Sequence, residues 1–279
     1  MRISGAARVA GVIGRPVGHS LSPLLHGAWI EAAGLDALYA PFESAEDGFE
    51  TLVQGLRAGG VRGVNVTLPF KERALDLADA ADAAAVAAGA ANVLLFRPDG
   101  RIEARNTDGL GLMAAFAEQA PHADLRAGPV VILGAGGAAR GAAAALASAG
   151  TPALRVVNRT LGRAAALAER FGGRAYAIEG AAAAFDGAVA VINSTSAGFG
   201  AEAPPDWPLS AAPATAAVMD MTYKPLRTPL LRRAGELGMP TVDGLAMLIG
   251  QAKPSFEAFF GVVPPAAVDV RGLLERALT

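Results

Sequence analysis

Three glycines in the middle of the chain, Gly134, Gly136 and Gly137, have the spacing of a site that binds a pyrophosphate. The apolar, β-branched run at residues 130–133 predicts a buried parallel strand, and the alanine-rich stretch after the glycines predicts a helix. Glycines at such a turn let the backbone approach a pyrophosphate, which binds the unpaired N–H groups at the helix N-terminus. The alternative is a tight turn without a ligand. The order of strand, turn, helix and second strand favours a dinucleotide site.

The next predicted strand, residues 154–157, ends in a polar and basic segment that contains Asn158, Arg159 and Thr160. An NAD site usually places Asp or Glu here to bind the ribose 2′-OH, whereas a cation suits the 2′-phosphate of NADP. Arg163 follows Arg159 by four residues, so the two side chains can share one helical face. The sequence therefore predicts NADP as the cofactor, the alternative being that Arg159 only marks the start of a helix.

Two further segments carry side chains suited to binding and reducing a small molecule rich in oxygen. Ser20 and Ser22 lie just before a predicted helix, and their hydroxyls suit a carboxylate or a ring hydroxyl. Lys71 lies three residues after the predicted strand at residues 63–68, which carries polar residues towards its end, and Asp108 lies where the first half of the chain meets the second. A lysine and an aspartate held close together could polarise an oxygen and move a proton.

Each of these residues also has a purely structural alternative. Ser20 and Ser22 could cap the helix that follows them, since serine is a favoured N-cap residue. Lys71, followed by two charged residues, could begin an exposed helix, and Asp108 could be another helix cap. The polar spacing alone leaves both possibilities open.

Composition excludes several classes of protein. The 279 residues are 52% apolar and 18% charged, which indicates a globular chain long enough for roughly two domains. The net charge of −2, without a basic stripe or tail, argues against nucleic acid and membrane surfaces as partners. With no cysteine and three scattered histidines, neither a disulfide framework nor a metal site is expected. No signal peptide or membrane-spanning run is evident, so we expect a cytoplasmic protein.

Short apolar runs alternate with helical stretches, the pattern of an α/β fold. The tight turn at residues 98–100 predicts that the strands on either side of it form a hairpin. In the first half of the chain, predicted strands cover residues 8–13, 38–42, 63–68, 90–96 and 101–105, and predicted helices cover residues 23–33, 47–58 and 80–91.

The second half begins with a connecting helix and continues through the glycine-rich strand to further strands near residues 156, 189–193 and 217–221. Two helices remain at the C-terminus, at residues 245–260 and 265–278, without a strand of their own. We expect them to return to the first domain. The predicted domains are therefore residues 1–106 together with 245–279, which bind the substrate, and residues 107–244, a Rossmann-like domain that binds NADP.

Over nearly its whole length the chain resembles the shikimate dehydrogenase family. The resemblance rests on motifs that occur in the family's order: HSLSP, NVTLPFK, GAAN, NTDG, GAGGAARG, NRT, DMTYKPLRTPLL and DGLAMLIGQA. It implies an α/β substrate domain, a Rossmann-like NADP domain and the reversible, NADPH-dependent reduction of 3-dehydroshikimate to shikimate, a step of aromatic amino acid biosynthesis. Shikimate would then be the small-molecule partner, and the protein a monomer or homodimer.

The resemblance also implies roles for individual residues. Lys71 and Asp108 would be the catalytic pair. The substrate would be bound by Ser20, Ser22, Thr67, Asn92, Asn106, Tyr223 and Gln251. The cofactor would be bound by Gly134, Ala135, Gly136, Gly137, Ala138, Asn158, Arg159, Thr160, Arg163, Met221 and Gly244.

Two positions depart from the family pattern. Val93 stands where the family usually has a threonine after Asn92, which removes a hydroxyl near the expected substrate. Ala83 stands where the family often has an acidic residue, which weakens the expected contacts to the cofactor. A related activity on quinate or an aminoshikimate therefore stays open, as does a nucleotide-binding protein without turnover. Asn92 and Gln251 could also be structural amides.

Overall fold

The computed structural model describes residues 3–195 and 205–279. These residues form two compact units. The first unit contains residues 3–108 together with Leu248–Ala277 and Thr279, and the second contains residues 109–195 and 205–247 together with Leu278. Each unit is built around one sheet that has six strands within the described residues. The predicted α/β class is confirmed.

The first unit has a mixed sheet. Its elements are β1 (Arg8–Gly14), α1 (Ser22–Ala32), β2 (Ala37–Glu43), α2 (Phe49–Ala58), β3 (Gly63–Val66), α3 (Lys71–Asp76), β4 (Ala80–Ala81), α4 (Ala83–Ala88), β5 (Val93–Phe96) and β6 (Ile102–Arg105). The strand order is β2-β1-β3-β5-β6-β4. β1 is parallel to β2 and β3, whereas β5 is antiparallel to β3 and β6, so the predicted hairpin is confirmed.

The register of this sheet brings four chain segments to one edge. Ile13 in β1 pairs with Val66 in β3, at the carboxyl end of both strands. Val93, the first residue of β5, pairs with Asn65 on one side and with Arg105, the last residue of β6, on the other. The segments that follow β1, β3 and β6 and the segment that precedes β5 therefore lie close together, as the loops at the carboxyl edge of an α/β sheet do.

The start predicted for the helix at residues 80–91 is wrong. Ala80 and Ala81 form β4, which pairs with β6, and α4 begins only at Ala83. Asp82 sets that start, because its carboxylate accepts a hydrogen bond from the Ala85 N–H at 2.7 Å and so caps the helix. Alanine has the highest intrinsic helix propensity, and pairing with β6 overrides it at these two positions.

The second unit has an all-parallel sheet. Its elements are α5 (Asp108–Gln119), whose first residue belongs to the first unit, β7 (Pro129–Leu133), α6 (Gly137–Ser148), β8 (Ala153–Val157), α7 (Leu161–Arg170), β9 (Arg174–Tyr176), α8 (Ala181–Phe185), β10 (Ala190–Asn193), β11 (Ala217–Asp220), α9 (Pro229–Glu236) and β12 (Thr241–Val242). The strand order β12-β11-β10-β7-β8-β9 is that of a doubly wound dinucleotide-binding fold.

The central strand β7 is buried on both faces. Val130 and Ile132 pack into a cluster with α6, whereas Val131 and Leu133 pack into a separate cluster with α8, and all four side chains are inaccessible to solvent. Alternate residues of a strand point to opposite faces, so a run that is apolar throughout suits a sheet covered by helices on both sides. The predicted Rossmann-like architecture is confirmed.

Two C-terminal helices, α10 (Gly244–Phe260) and α11 (Val270–Leu278), complete the chain. Most of both helices lies within the first unit, from Leu248 to Ala277, so the predicted return of the chain is confirmed. α11 begins later than predicted, because the Asp269 carboxylate accepts a hydrogen bond from the Gly272 N–H at 2.9 Å and caps the helix. Among the described residues, no helix is both long and apolar enough to span a membrane.

Candidate active site

Lys71 and Asp108 form a buried ion pair at the carboxyl edge of the first sheet. Lys71 begins α3, after β3, and Asp108 begins α5, after β6. The Lys71 Nζ donates a hydrogen bond to the Asp108 Oδ2 at 2.5 Å, and the two side chains are 12% and 6% exposed. Lys71 is therefore not the first residue of a freely solvated helix. The sheet register accounts for the contact, because β3 and β6 both end at this edge.

Asn92 holds the other carboxylate oxygen of Asp108. Its Nδ2 donates to Asp108 Oδ1 at 2.8 Å and to Thr107 Oγ1 at 3.0 Å, while Gln251 Oε1 lies farther away at 3.3 Å. An amide nitrogen has two protons, so the two shorter contacts use both of them. The Asn92 Oδ1 accepts a hydrogen bond from the Thr107 N–H at 2.7 Å. Both oxygens of Asp108 are thus fixed, and the carboxylate in turn fixes the ammonium of Lys71.

Asn106 and Gln251 lie beside this pair. The Asn106 Oδ1 accepts from the Asp108 N–H at 3.0 Å, and its Nδ2 donates to the Ala90 carbonyl at 2.8 Å. The Gln251 Nε2 donates to the Leu248 carbonyl at 3.0 Å, which aims its Oε1 towards Asn92. Asn106 is buried and holds the backbone of Asp108, whereas the half-buried Gln251 faces the cluster from α10.

Ser20, Ser22 and Thr67 follow β1 and β3 at the same edge. The N-cap residue of α1 is Leu21, and no side chain caps that helix, so the serines do not act as conventional caps. The Ser20 Oγ instead accepts from the Ser22 N–H at 3.3 Å. Thr67 packs against Gly14, where a Cβ would lie 2.4 Å from the Thr67 Cγ2. Only glycine at position 14 lets these two segments approach so closely.

Tyr39 and Asn65 belong to this cluster although the sequence alone did not assign them a role. The Tyr39 hydroxyl donates to Asn65 Oδ1 at 2.7 Å and is hydrogen-bonded by the Ser22 side chain. Burial raises the pKa of Tyr39 well above its usual value of 10.0, so the side chain stays a neutral donor. Asn65 gave a usable signal, because it is the one polar residue in the otherwise apolar strand β3. Tyr39 gave none.

His26 lies beneath the cluster and takes no part in its hydrogen bonds. Its ring stacks on Tyr39 with 4.0 Å between ring centroids, and it is fully buried. Neither ring nitrogen has a hydrogen-bond partner among the described residues. Burial lowers the pKa of His26 to about 3, so the ring is neutral near pH 7. It is a packing histidine.

The glycine turn of the second unit exposes backbone at the start of a helix. Gly134 has a φ of +107°, and a Cβ there would lie 2.7 Å from the Ser194 Oγ. Gly136 is exposed, with open space where a Cβ would be, and α6 begins at Gly137. The half-buried Ala135 and Ala138 complete the turn. The first N–H groups of a helix have no partner within it, so this turn fits a pyrophosphate.

The basic segment after β8 lies at the same edge as the glycine turn. The Gly134 N–H donates a hydrogen bond at 2.8 Å to the carbonyl of Val157, which is the last residue of β8. Asn158 Nδ2 donates to the Thr160 carbonyl at 3.0 Å, and the exposed side chains of Arg159 and Arg163 follow. Exposed guanidinium groups beside a pyrophosphate site fit a ribose 2′-phosphate.

Met221 and Gly244 are in contact in the second unit. A Cβ at Gly244 would lie 2.3 Å from the carbonyl oxygen of Met221, so only glycine permits this approach. Tyr223 is half-buried two residues after Met221. It lies in the second unit, whereas the other residues predicted to bind the substrate lie in the first.

The two departures from the family pattern have clear structural surroundings. Val93 is fully buried and stands directly opposite Asn65, to which its side chain offers no hydrogen bond. Ala83 is the exposed first residue of α4, and the neighbouring Asp82 is the helix cap.

Across residues 3–195 and 205–279, no group of three or more His, Cys, Asp or Glu side chains could hold a metal ion.

Comparisons with known proteins agree with this geometry. Residues 12–94 match the family described as shikimate dehydrogenase substrate binding domain, and residues 116–199 match shikimate / quinate 5-dehydrogenase. A shikimate dehydrogenase (NADP(+)) of Caulobacter vibrioides is 56% identical over 278 residues, which cover 99% of this chain and 98% of that one.

Two solved structures illustrate the range of similar folds. The shikimate 5-dehydrogenase of Thermus thermophilus in complex with NADP(H) and shikimate has a TM-score of 0.82 and 37% identity, covering 92% of this chain and 95% of that one. The quinate dehydrogenase of Corynebacterium glutamicum in complex with NAD has a TM-score of 0.84 and 30% identity, covering 93% and 95%.

Proposed function

The chain belongs to the shikimate dehydrogenase family, and from that membership we propose that it reversibly reduces 3-dehydroshikimate to shikimate with NADPH. The observation that carries the proposal is the Lys71–Asp108 pair, buried at a sheet edge and surrounded by hydroxyl and amide groups. A protein that only binds nucleotides needs no such pair in its other unit.

The substrate is held by polar side chains of the first unit. Ser20 and Ser22 bind the carboxylate, and Thr67 binds a neighbouring polar group. The amides of Asn92 and Gln251 orient the ring hydroxyls. Hydroxyl and amide groups that are already positioned by the fold bind such a molecule at a lower entropic cost than mobile ones do.

Lys71 stabilises the charge that develops on the substrate oxygen during reduction. When bound, NADPH would supply a hydride for the ketone carbon. The ketone oxygen would then carry negative charge and take up one proton, for which the Lys71 ammonium is the candidate acid. The ammonium of Lys71 has three donors, one of which is held by Asp108, so two remain for the substrate. Asp108 holds the ammonium in place before the substrate arrives, and such preorganised charge is the main electrostatic contribution to catalysis.

The cofactor is held by the second unit. The turn from Gly134 to Ala138 binds the pyrophosphate, and the segment from Asn158 to Arg163 binds the adenosine phosphate. Met221 and Gly244 form the nicotinamide side of the site. Tyr223, also of this unit, is assigned to the substrate by the family resemblance.

Steady-state kinetics of the purified protein test this proposal. Shikimate and quinate are each offered with NADP⁺ and with NAD⁺, and nicotinamide absorbance is followed. We expect the highest kcat/KM with shikimate and NADP⁺. Faster turnover of quinate would assign the protein to the related activity, and tight NADP⁺ binding without turnover of either acid would indicate a non-catalytic protein.

We propose that the protein acts in the cytoplasm as a monomer or homodimer, with its small-molecule substrate and cofactor as its ligands. Sedimentation of the purified protein at several concentrations distinguishes the two assemblies.

A further inference from the structure

Ser255 is a fully buried hydroxyl of α10 to which the family resemblance assigned no role. It lies four residues after Gln251, so both side chains leave the same face of the helix. Its Oγ donates to the Gln251 carbonyl at 3.1 Å, a bond from a serine to the preceding turn. That bond uses the only proton of the hydroxyl and leaves two lone pairs for other partners.

Those lone pairs face the site. The Asn65 Nδ2 donates to the Ser255 Oγ at 3.1 Å, and the Thr107 Oγ1 lies 3.4 Å from the same oxygen. Asn65 comes from β3 and Thr107 from the segment after β6. One buried hydroxyl of α10 therefore contacts two separate parts of the sheet edge that carries Lys71 and Asp108.

The amide of Asn65 has the Ser255 hydroxyl as one of its three hydrogen-bond partners among the described residues. Its Oδ1 accepts from Tyr39, and its Nδ2 donates to the Asn92 carbonyl at 3.2 Å and to Ser255. Val93, directly opposite in the sheet, is apolar and cannot replace either partner. Without the Ser255 hydroxyl one amide proton loses its acceptor in a buried site, and the placement of the amide then rests on the Tyr39 and Asn92 contacts alone.

A continuous chain of buried hydrogen bonds results. It runs from the Ser22 side chain through Tyr39 and Asn65 to Ser255. Ser255 then connects it to the backbone of Gln251. The proposed function assigns the residues at both ends of this series of hydrogen bonds to substrate binding. The residues in its middle are buried.

We propose that Ser255 is a positioning residue for the substrate, which acts through Asn65 and sets the relative placement of the hydroxyls and amides that bind shikimate. The inference rests on the proposed function, because it concerns affinity for that function's substrate. Loss of a serine with only a structural role would lower the melting temperature and leave the kinetic constants unchanged, whereas loss of Ser255 should change the KM for shikimate.

The test is a kinetic comparison of Ser255→Ala with Ser44→Ala. Ser44 is a matched control, since it is a buried serine of the same unit whose hydroxyl donates to the carbonyl of its neighbour Ala45 and not to a residue of the proposed site. We expect Ser255→Ala to raise the KM for shikimate about tenfold, equivalent to about 1.4 kcal/mol. The KM for NADP⁺ should stay within about twofold of the wild-type value, and Ser44→Ala should change neither constant.

Two further variants make the result decisive. Ser255→Thr keeps the hydroxyl and should bring the KM for shikimate back to within about threefold of the wild-type value. In a double-mutant cycle with Asn65→Ala, the combined variant should have the same KM as Asn65→Ala alone, because contacting residues that act together are not additive. The inference would be overturned if the fold-changes in KM of the two single variants multiplied in the combined variant. It would also be overturned if Ser255→Ala lowered the melting temperature and left the KM for shikimate unchanged. Absence of turnover in the wild-type protein would instead refute the proposed function.

Discussion

Replacing Lys71 by alanine is expected to separate chemistry from cofactor binding. The variant removes the ammonium that lies 2.5 Å from Asp108 Oδ2 and leaves the carboxylate, which is 6% exposed, with Asn92 as its remaining side-chain partner among the described residues. Loss of a positioned acid or charge typically costs about 10²-fold or more in turnover, which corresponds to about 2.7 kcal/mol in the activation barrier. Loss of one partner of a buried ion pair also costs about 3 kcal/mol of folding stability.

The assay compares kcat, the KM for each ligand and the melting temperature of Lys71→Ala with those of Lys253→Ala. Lys253 is an exposed lysine of α10 and serves as the control for simple loss of charge. We expect kcat to fall at least about 10²-fold for Lys71→Ala, with the KM for NADP⁺ unchanged, because the cofactor groups belong to the second unit. A kcat within about threefold of the wild-type value in a folded Lys71→Ala protein would remove the lysine from the mechanism.

Three further predictions concern stability and cofactor choice. The folded pKa of His26, about 3, lies below its unfolded value of 6.5, so its contribution to stability is complete above pH 6.5 and is lost as the pH falls towards 3. Over this range the free energy of unfolding, measured in urea, changes by about 1.4 kcal/mol per pH unit for one such group. His26→Leu should flatten that dependence on pH, and an unaltered dependence would contradict the assignment. Gly244→Ala places a Cβ 2.3 Å from a backbone oxygen and should lower the melting temperature and raise the KM for NADP⁺. Gly235→Ala, in open space within α9, should instead stabilise the protein by up to about 1 kcal/mol. Equal changes in melting temperature for the two variants, measured by calorimetry, would refute the packing argument. Arg159→Ala should weaken NADPH binding more than NADH binding in fluorescence titrations, with Arg170→Ala at the other end of α7 as the control; an equal loss for both cofactors would contradict a contact to the 2′-phosphate.

Elements with a strong local signal could be predicted from the sequence. The strand β7 is apolar throughout, and its glycine turn has a steric requirement that few other residues meet. The position of Lys71 soon after a predicted strand is equally visible in the sequence. The alanine-rich stretch at residues 80–91 carried a helix signal that failed at its start, because the pairing of β4 with β6 overrides the helix propensity of alanine there.

The contacts among the site residues could not be predicted in the same way. That Asn92 would hold Asp108, or that Asn106 would hold its backbone, depends on the register between β3, β5 and β6. Ser255 is almost two hundred residues from Asn65 in sequence, and only the return of α10 to the first unit brings them together. Periodicity identifies which face of an element is buried, but it does not identify the polar partner that the buried residue meets.

A crystal structure of the protein with shikimate and NADP⁺ tests the central claim most directly. The account predicts that the ring hydroxyl nearest to the nicotinamide lies within hydrogen-bond distance of both the Lys71 ammonium and the Asp108 carboxylate, with the substrate carboxylate at Ser20 and Ser22. A shikimate bound with its carboxylate on Lys71, or with no hydroxyl near Asp108, would contradict it.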